Sequence, residues 1–517
     1  MTDQTGADLL VRTLAEAGVA ACFANPGTSE MHLVQALDRE ARIRSVLCLF
    51  EGVATGAADG YARIAGKPAM TLLHLGPGYG NGLANIHNAK RAFAPMVNVI
   101  GDHATYHRGL DAPLTSDIET LIAPHCGWVG VVDSAAAAGA RAAEAFAAAL
   151  AAPGGPVGLI LPADSAWEAA EGAPVAPVLT AEARVADSAL DAAVKAVRAA
   201  AKPLLLVGGA ALANEAALET LSRLKAAGLR VMIDTFPSRQ ARGAGRFAPD
   251  KMAYFAEMAM ADLEGHDLML LAGTQTPVAF FAYPGKPSVL VPDGCAVVTL
   301  SARAEDTIGA LARLADALDA PAAPAPPARA ARPERPQGDL TPFACAQALA
   351  RHMPDHAIIS DDAVTAGLPH WLATANAAPH DWLYLTGGAI GQGLPVAVGA
   401  AVAAPERKVI ALSGDGAGMY TLQALWTMAR ERLPIVTVVF ANRSYRILTI
   451  EMARTEAGQP GPAARAMLSL DQPALDWVKL AEGQGVKGFR CDSAEAFDAA
   501  LEQAIAADEP VLIEAVL

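Results

Sequence analysis

The sequence predicts an α/β protein built from three doubly wound domains with parallel sheets. Its 517 residues are enough for about three domains of 100–200 residues each. Short apolar runs, of the length of buried strands, alternate with helical patterns along the chain, as they do in βαβ units. Apolar residues make up 53% of the sequence, which is sufficient for several buried cores.

The first region, residues 1–180, opens with a helix predicted at 6–17. Apolar runs then predict five strands, at 20–23, 43–50, 69–73, 97–100 and 157–161. Together with the helical stretches between them, these runs indicate buried parallel strands. The glycine-rich run at 76–82 is predicted to be a loop, followed by a helix from about Leu83.

Two further regions follow the same pattern. The central region, 185–318, has strands predicted at 203–207, 230–233, 268–272 and 296–300. Its Gly208-Gly209 pair is interpreted as a plain turn, because the full Gly-x-Gly-x-x-Gly fingerprint is missing. A proline-dense linker at 319–338 is expected to be extended and exposed. The third region, 339–517, has strands predicted at 357–360, 408–412, 435–440 and 511–516.

Charge and cysteine usage exclude several classes of protein. The formal net charge of −15 disfavours nonspecific binding to nucleic acid or to anionic membranes, since both require a basic surface. None of the six cysteines belongs to a Cys-x-x-Cys pair, so neither a disulfide framework nor a zinc site is expected. Without an apolar run of about 18 residues or a signal peptide, the sequence predicts no membrane span and a cytoplasmic location.

The most informative motif lies in the third region. Gly414-Asp415-Gly416-Ala417 follows one predicted strand, and Asn442 follows the next, 27 residues after Asp415. Parallel strands bring a carboxylate and an amide oxygen at these positions to one edge of a sheet, and such hard oxygen ligands suit magnesium. Backbone N–H groups of Gly416 and Ala417, near a helix start, can face a diphosphate. The alternative is a buried Asp at an ordinary turn and a surface Asn.

A second candidate is Glu51 in the first region. It follows the unbroken apolar run 46–50 and enters a helix of small residues, so its carboxylate is expected to be buried. A buried carboxylic acid can exchange a proton with a ring nitrogen. The alternative is a helix N-terminal glutamate that is favoured only by the helix dipole.

These motifs resemble those of the thiamine-diphosphate enzymes of the acetolactate synthase, pyruvate oxidase and benzoylformate decarboxylase type. The resemblance also includes Ala-Asn-Pro-Gly-Thr at 24–28 and the segments 51–63 and 76–82, and it covers essentially the whole chain. It implies the thiamine-diphosphate-binding fold, with a pyrimidine-binding domain at 1–180, a central domain at 185–318 and a diphosphate- and magnesium-binding domain at 339–517.

The resemblance also implies an activity, non-oxidative decarboxylation or carboligation of 2-oxo acids, with thiamine diphosphate and Mg²⁺ as cofactors. Glu51 would hydrogen-bond the pyrimidine ring, and Asp415, Asn442 and the Ser444 carbonyl would hold the metal. The implied cofactor-binding residues are Asn81, Thr365, Gly388, Ile390, Gly414, Gly416 and Ala417. Because the active site of this family is built from two subunits, a homodimer or homotetramer is expected.

Other positions concern the substrate. His74 stands where benzoylformate decarboxylase has an active-site histidine, and an imidazole there could shuttle protons. Thr28 stands where that enzyme has a serine, and could hold the substrate carboxylate. The second histidine of that enzyme is not evident, and Phe280 either forms an apolar wall or simply packs. The roles of Glu451 and His103 stay open at this point, and no flavin site is expected.

Two other functions remain open on the sequence alone. One is a thiamine-diphosphate-dependent lyase or hydrolase acting on an acyl-CoA or a cyclic diketone. The other is a non-catalytic paralogue, against which the intact Glu51, Asp415 and Asn442 argue. The sequence names neither the 2-oxo acid nor the fate of the product, protonation or ligation.

Overall fold

A computed structural model describes residues 4–455 and 458–517 and contains three β-sheets. The strands of the first region are β1 Ala21–Ala24, β2 Arg44–Leu47, β3 Ala69–Leu73, β4 Met96–Asp102, β5 Val129–Val131 and β6 Pro156–Pro162. They form one parallel sheet in the order β2-β1-β3-β4-β6-β5.

The central strands are β7 Pro203–Val207, β8 Arg230–Ile233, β9 Arg239–Arg242, β10 Asp250–Lys251, β11 Leu268–Ala272 and β12 Ala296–Ser301. All of them except β9 form a parallel sheet in the order β10-β8-β7-β11-β12. Residues 320–337, after this sheet, form neither helix nor strand and are mostly exposed.

The third sheet contains β13 Ala357–Asp362, β14 His380–Leu383, β15 Val409–Gly414, β16 Ile435–Ala441, β17 Lys487–Cys491 and β18 Val511–Val516. Its order is β17-β18-β16-β15-β13-β14-β9. Its last strand, β9, comes from the central region and is antiparallel to β14. The fold class is confirmed, and the predicted domain boundaries stay predictions.

Helices cover the sheets. In the first region they are α1 Gly6–Ala17, α2 Met31–Arg39, α3 Glu51–Ala65, α4 Leu75–Ala92, α5 Ile118–Ile122, α6 Ala138–Leu150 and α7 Ala163–Trp167. The central helices are α8 Asp187–Ala199, α9 Glu215–Ala226, α10 Ala256–Leu263 and α11 Thr307–Ala317. The third region has α12 Pro342–His352, α13 Gly367–Ala373, α14 Gly393–Ala403, α15 Asp415–Gly418, α16 Ala424–Arg430, α17 Arg446–Arg454, α18 Pro462–Leu468, α19 Trp477–Glu482 and α20 Ala494–Ala506.

The prediction of a loop at 76–82 is wrong, because α4 already begins at Leu75. Glycine has a low helix propensity, but here it permits α4 to pack very close to α3. A Cβ atom added to Gly82 would lie 2.8 Å from Thr55 Cγ2, and one added to Gly78 would lie 3.2 Å from Glu51 Oε1. Tertiary packing therefore overrides the local preference, and it brings α4 against the residue expected to be catalytic.

The first and third sheets are joined by a close crossing of α3 and α14. A Cβ atom on Gly60 would overlap the Val396 carbonyl oxygen, and one on Gly399 would overlap the Ala57 carbonyl oxygen. Arg63, at the end of α3, is buried, pairs with Asp59 and donates to the Tyr384 carbonyl at 2.7 Å. This crossing fixes the end of α3 that carries Glu51 relative to the strands that precede Asp415 and Asn442.

Candidate active site

The carboxyl ends of β15 and β16 carry the predicted metal ligands. Asp415 follows β15 directly, Asn442 follows β16, and the two strands pair in parallel up to Gly414 and Phe440. Asp415 Oδ2 accepts a hydrogen bond from the Arg443 backbone N–H at 2.7 Å, and Oδ1 accepts one from the Gly416 N–H at 2.9 Å. The structure therefore brings the Asp415 carboxylate to the turn that holds Asn442.

The turn after β16 is folded back on itself. Asn442 Oδ1 accepts from the Ser444 N–H at 3.0 Å, and Ser444 Oγ donates to the Leu468 carbonyl at 3.2 Å. Within residues 4–455 and 458–517, no group of three or more His, Cys, Asp or Glu side chains could hold a metal. This edge instead offers one carboxylate together with amide and carbonyl oxygens, and that donor set fits magnesium with water and phosphate completing its shell.

The electrostatics of Asp415 favour a cation at this edge. Burial raises the pKa of its carboxyl group above the ordinary value, and hydrogen bonds from the Arg443 and Gly416 backbone N–H groups only partly oppose this effect. Only 3% of the residue is exposed. Because a nearby cation stabilises the charged form of a buried carboxylate, a divalent ion would relieve this cost.

Glycines and a threonine border the same edge. Gly414 has open space at its Cβ position, and a Cβ atom on Gly416 would lie 2.5 Å from Tyr445 Cε1. Ala417 is buried in α15. Thr365 lies in the 3-10 turn Val364–Ala366, which packs against β15. The structure thus collects the predicted diphosphate-binding residues around the Asp415 turn.

The predicted cofactor-bending segment is a rigid turn. Gly388 has a φ of +75°, which favours glycine, and a Cβ atom there would lie 2.5 Å from Phe280 Cζ. Ile390 is partly buried. Asp362 Oδ2 accepts from the Gly391 N–H at 2.8 Å, and Thr421 Oγ1 donates to the Gly391 carbonyl at 2.7 Å. These two hydrogen bonds to Gly391 fix the position of the turn.

The Glu51 carboxylate lies at the first residue of α3 and is only 6% exposed. Asn81 Nδ2, on α4, donates to Glu51 Oε2 at 3.0 Å. The other oxygen, Oε1, lies against Gly78. One oxygen is therefore oriented by Asn81, while the absence of a side chain at Gly78 keeps space beside the other.

The structure brings Thr28, His74 and Glu51 to one place at the end of the first sheet. His74 precedes α4, and Gly78 separates its Cβ from Glu51 Oε1, since a Cβ atom on Gly78 would lie 3.4 and 3.2 Å from these two atoms. Thr28 begins the 3-10 turn Thr28–Glu30 and is exposed. The next residue, Ser29, has its Oγ 3.4 Å from His74 Nδ1.

Sequence reasoning missed Glu30, whose Oε2 lies 2.8 Å from His74 Nδ1. The local signal was a glutamate three residues after Gly27, a spacing typical of helix N-terminal caps. The Gly27 N–H does donate to Glu30 Oε2, at 2.7 Å. The contact with His74 spans 44 positions of the chain, so only the folded structure reveals it.

The open roles of the remaining residues become clearer. Phe280 forms an aromatic cluster with Phe236, Tyr254 and Phe281, at ring-centroid distances of 5.9, 5.3 and 4.9 Å. Because Phe280 also abuts Gly388, this cluster forms a wall beside the turn that is predicted to bend the cofactor. Phe280 and Phe281 are partly exposed and present apolar surface there.

Glu451 and His103 make contacts of other kinds. Glu451 accepts from Tyr283 Oη at 2.8 Å and pairs with Arg454 at 3.3 Å, so its charge is compensated and does not stand free to repel an acidic substrate. His103 packs on His107 with ring centroids 5.2 Å apart. His103 Nε2 is buried and has no hydrogen-bond partner among the described residues.

The two halves of the candidate site lie at different points of α4 within one chain. Asn81 binds Glu51, whereas Asn88 Nδ2 donates to the Ala389 carbonyl at 2.8 Å. Seven positions along a helix correspond to about 10 Å. Asn81 and Asn88 therefore bind the Glu51 carboxylate and the Gly388 turn at two different points of α4.

This geometry agrees with the family to which the sequence belongs. The thiamine pyrophosphate enzyme N-terminal TPP binding domain matches residues 4–121, and the thiamine pyrophosphate enzyme C-terminal TPP binding domain matches residues 367–515. The chain is a member of the thiamine pyrophosphate (thiamine diphosphate) enzyme family.

Three similar proteins each cover at least 96% of the chain. A Mycobacterium tuberculosis protein named "Putative acetolactate synthase large subunit IlvX" is 49% identical, over 99% of both chains. Benzoylformate decarboxylase of Pseudomonas aeruginosa is 31% identical, over 96% of both chains. The solved structure of a thiamine diphosphate-dependent 4-hydroxybenzoylformate decarboxylase from Rhodococcus jostii is 27% identical, over 99% of both chains, with a TM-score of 0.87.

None of the helices within the described residues has both the length and the apolar character needed to cross a membrane.

The predicted roles of the individual site residues stay predictions, since the similarities to known proteins extend over whole domains.

Proposed function

We propose that the protein is a thiamine-diphosphate- and Mg²⁺-dependent non-oxidative decarboxylase or carboligase of 2-oxo acids. The observation that carries this proposal is the buried Glu51 carboxylate, with one oxygen held by Asn81 and the other beside Gly78. The names of the similar decarboxylases support a 2-oxo acid as substrate.

The residues at the edge of the third sheet bind the cofactor. Asp415, Asn442 and the Ser444 carbonyl would hold Mg²⁺, whose charge would favour binding of the diphosphate. Backbone N–H groups of Gly416 and Ala417 add hydrogen bonds to it. The bound cofactor supplies a nucleophilic carbon and accepts the electrons released when carbon dioxide leaves.

The turn before α14 orients the head of the cofactor. Ile390 would support its bent form, and the Gly388 carbonyl would accept a hydrogen bond from its amino group. The carboxylic acid of Glu51 would share a proton with the pyrimidine nitrogen. As the family resemblance implies, Glu51 would serve the cofactor that is bound by a second copy of the chain.

The substrate side is formed by Thr28, His74 and the aromatic wall. Thr28 is exposed and its hydroxyl is available to bind a carboxylate. The His74 imidazole would exchange protons with the substrate. Phe280 and Phe281 are partly exposed and would offer the substrate an apolar contact surface.

The first test is a panel of pyruvate, branched 2-oxo acids and benzoylformate, incubated with the protein, thiamine diphosphate and Mg²⁺. We expect release of carbon dioxide from at least one of them. Glu51→Gln removes the titratable proton while keeping the size of the side chain, so we expect about a 100-fold or greater loss of turnover.

Glu40→Gln is the matched control, because Glu40 is an equally buried glutamate of the same domain, 8% exposed, which pairs with Arg42. It should keep near wild-type turnover. A Glu51→Gln protein with full activity, or a panel without any release of carbon dioxide, contradicts the proposed function.

A further inference from the structure

The carboxylate behind His74 is fully engaged. Glu30 is only 2% exposed. Its Oε2 accepts from the Gly27 N–H at 2.7 Å and lies 2.8 Å from His74 Nδ1, while its Oε1 accepts from Ser29 Oγ at 2.7 Å. Both oxygens of this carboxylate therefore have close polar partners, and its orientation is fixed.

This contact determines which nitrogen of His74 carries the proton. Glu30 Oε2 already accepts from the Gly27 N–H, and we take it to accept from His74 as well, so that Nδ1 is the donor. In the neutral ring, Nε2 is then the nitrogen with the free lone pair. Within the described part of the chain, Nε2 makes no hydrogen bond, and 22% of the side chain is exposed.

The ring is also fixed sterically. A Cβ atom on Gly27 would overlap His74 Nδ1, so the backbone of the 3-10 turn lies directly against the imidazole. The Cβ atom of His74 adjoins Gly78, beyond which lies Glu51 Oε1. The ring therefore has a carboxylate at Nδ1 and glycine backbone against its edge, and its Cβ atom lies near the Glu51 pocket.

We propose that Glu30 is a positioning residue that keeps His74 as the Nδ1–H tautomer and leaves Nε2 to exchange protons with the substrate. The part of this inference that concerns the reaction rests on the proposed function, whereas the tautomer does not. The competing role for Glu30 is purely structural, as a carboxylate that closes the turn through the Gly27 N–H.

The tautomer is tested without any substrate. Long-range ¹H–¹⁵N spectra are recorded on the protein labelled with ¹⁵N-histidine, and the His74 signals are assigned by their loss in His74→Gln. We expect the Nδ1–H form in the wild type and in Glu40→Gln, and a shift towards the Nε2–H form in Glu30→Ala. If Glu30→Ala does not fold, Glu30→Gln replaces it, and its amide should give a mixture of the two forms. An unchanged His74 tautomer overturns the proposal.

The kinetic test uses the 2-oxo acid of the panel with the highest turnover. For Glu30→Gln we expect kcat to fall about 10-fold or more while KM stays within about twofold, because proton transfer and not binding is affected. The double variant Glu30→Ala/His74→Ala should be no slower than His74→Ala alone, because Glu30 acts through His74.

The positioning role is contradicted if the losses of turnover in the two single variants multiply in the double variant. It is also contradicted if KM rises while kcat is unchanged. If the panel gives no turnover at all, the proposed function fails, and the spectrum of His74 still decides whether Glu30 sets its tautomer.

Discussion

Buried carboxylates at the site differ in what surrounds them. Asp362 lies at the end of β13, and its Oδ2 accepts from the Gly391 and Gly393 N–H groups at 2.8 and 3.2 Å. Its Oδ1 is buried without a partner among the described residues. Burial raises the pKa of Asp362 from the ordinary value of 3.8 to about 7. The residue that holds the cofactor-bending turn is thus an acid that titrates near neutrality.

This pKa predicts how the stability of the apoprotein depends on pH. Because the folded state holds the proton of Asp362 more tightly than the unfolded state, the protonated acid stabilises the fold at low pH, and this contribution is lost as pH rises through about 7. Between pH 5 and pH 8, the melting temperature of the wild type should fall relative to that of Asp362→Asn, as measured by calorimetry.

Asp381→Asn is the control for that series. Burial raises the pKa of Asp381, but its ion pairs with Arg239 and Arg407 outweigh burial and lower it below the ordinary value. Its contribution is lost only in acid, so the difference between wild type and Asp381→Asn should be constant from pH 5 to pH 8. If the difference in melting temperature between wild type and Asp362→Asn is also constant over this range, the raised pKa of Asp362 is contradicted.

At the scale of elements, the packing of α3 on α14 positions the site. Helices approach this closely only where glycine replaces larger side chains, and here Gly60 and Gly399 lie at the crossing. The obstacle to a side chain at either position is backbone, which cannot rotate away. The start of α3, with Glu51, depends on this contact for its position.

Gly399→Ala should therefore destabilise the protein. Its Cβ atom overlaps the Ala57 carbonyl oxygen, and overpacking of this kind costs about 1–3 kcal/mol. We expect the melting temperature to fall by about 3 °C or more. In Gly109→Ala, the added Cβ meets open space, so that variant should have the melting temperature of the wild type. An equally small change for Gly399→Ala would show that the crossing tolerates a side chain.

Elements with continuous apolar runs were predictable from the sequence, and those defined by their neighbours were not. The strands β3, β7 and β11 match their predicted ranges, because a buried strand requires an apolar run. In contrast, β9 reads Arg-Gln-Ala-Arg, and only its pairing with β14 makes it a strand. The glycines of α4 indicate a loop until the close approach of α3 is known.

The same distinction applies to the site. Asp415, Asn442 and Glu51 could be predicted as site residues because each follows an apolar run in a recognisable motif. Glu30 and Asp362 were not, because their roles depend on contacts with His74 and Gly391, which lie 44 and 29 positions away.

At the scale of the whole molecule, the proposed site takes residues from two regions of the chain. Its predicted residues are Glu51 in the first region and the Asp415 edge in the third region. The central claim is that Glu51 of one subunit and Asp415 of the other act on the same cofactor. Most soluble oligomers are symmetric, so a dimer with two such sites is the smallest active unit expected.

Complementation between two inactive variants tests this claim most directly. Glu51→Gln and Asp415→Ala chains carrying different affinity tags are coexpressed, and the hybrid dimer is purified through both tags. One of its two sites then has both residues intact, so the hybrid should have about half of the wild-type turnover. A hybrid that pairs the wild type with the Glu51→Gln/Asp415→Ala double variant should be inactive, because each of its sites lacks one residue. The reverse result, an inactive first hybrid and a half-active second one, would mean that each chain builds its site alone.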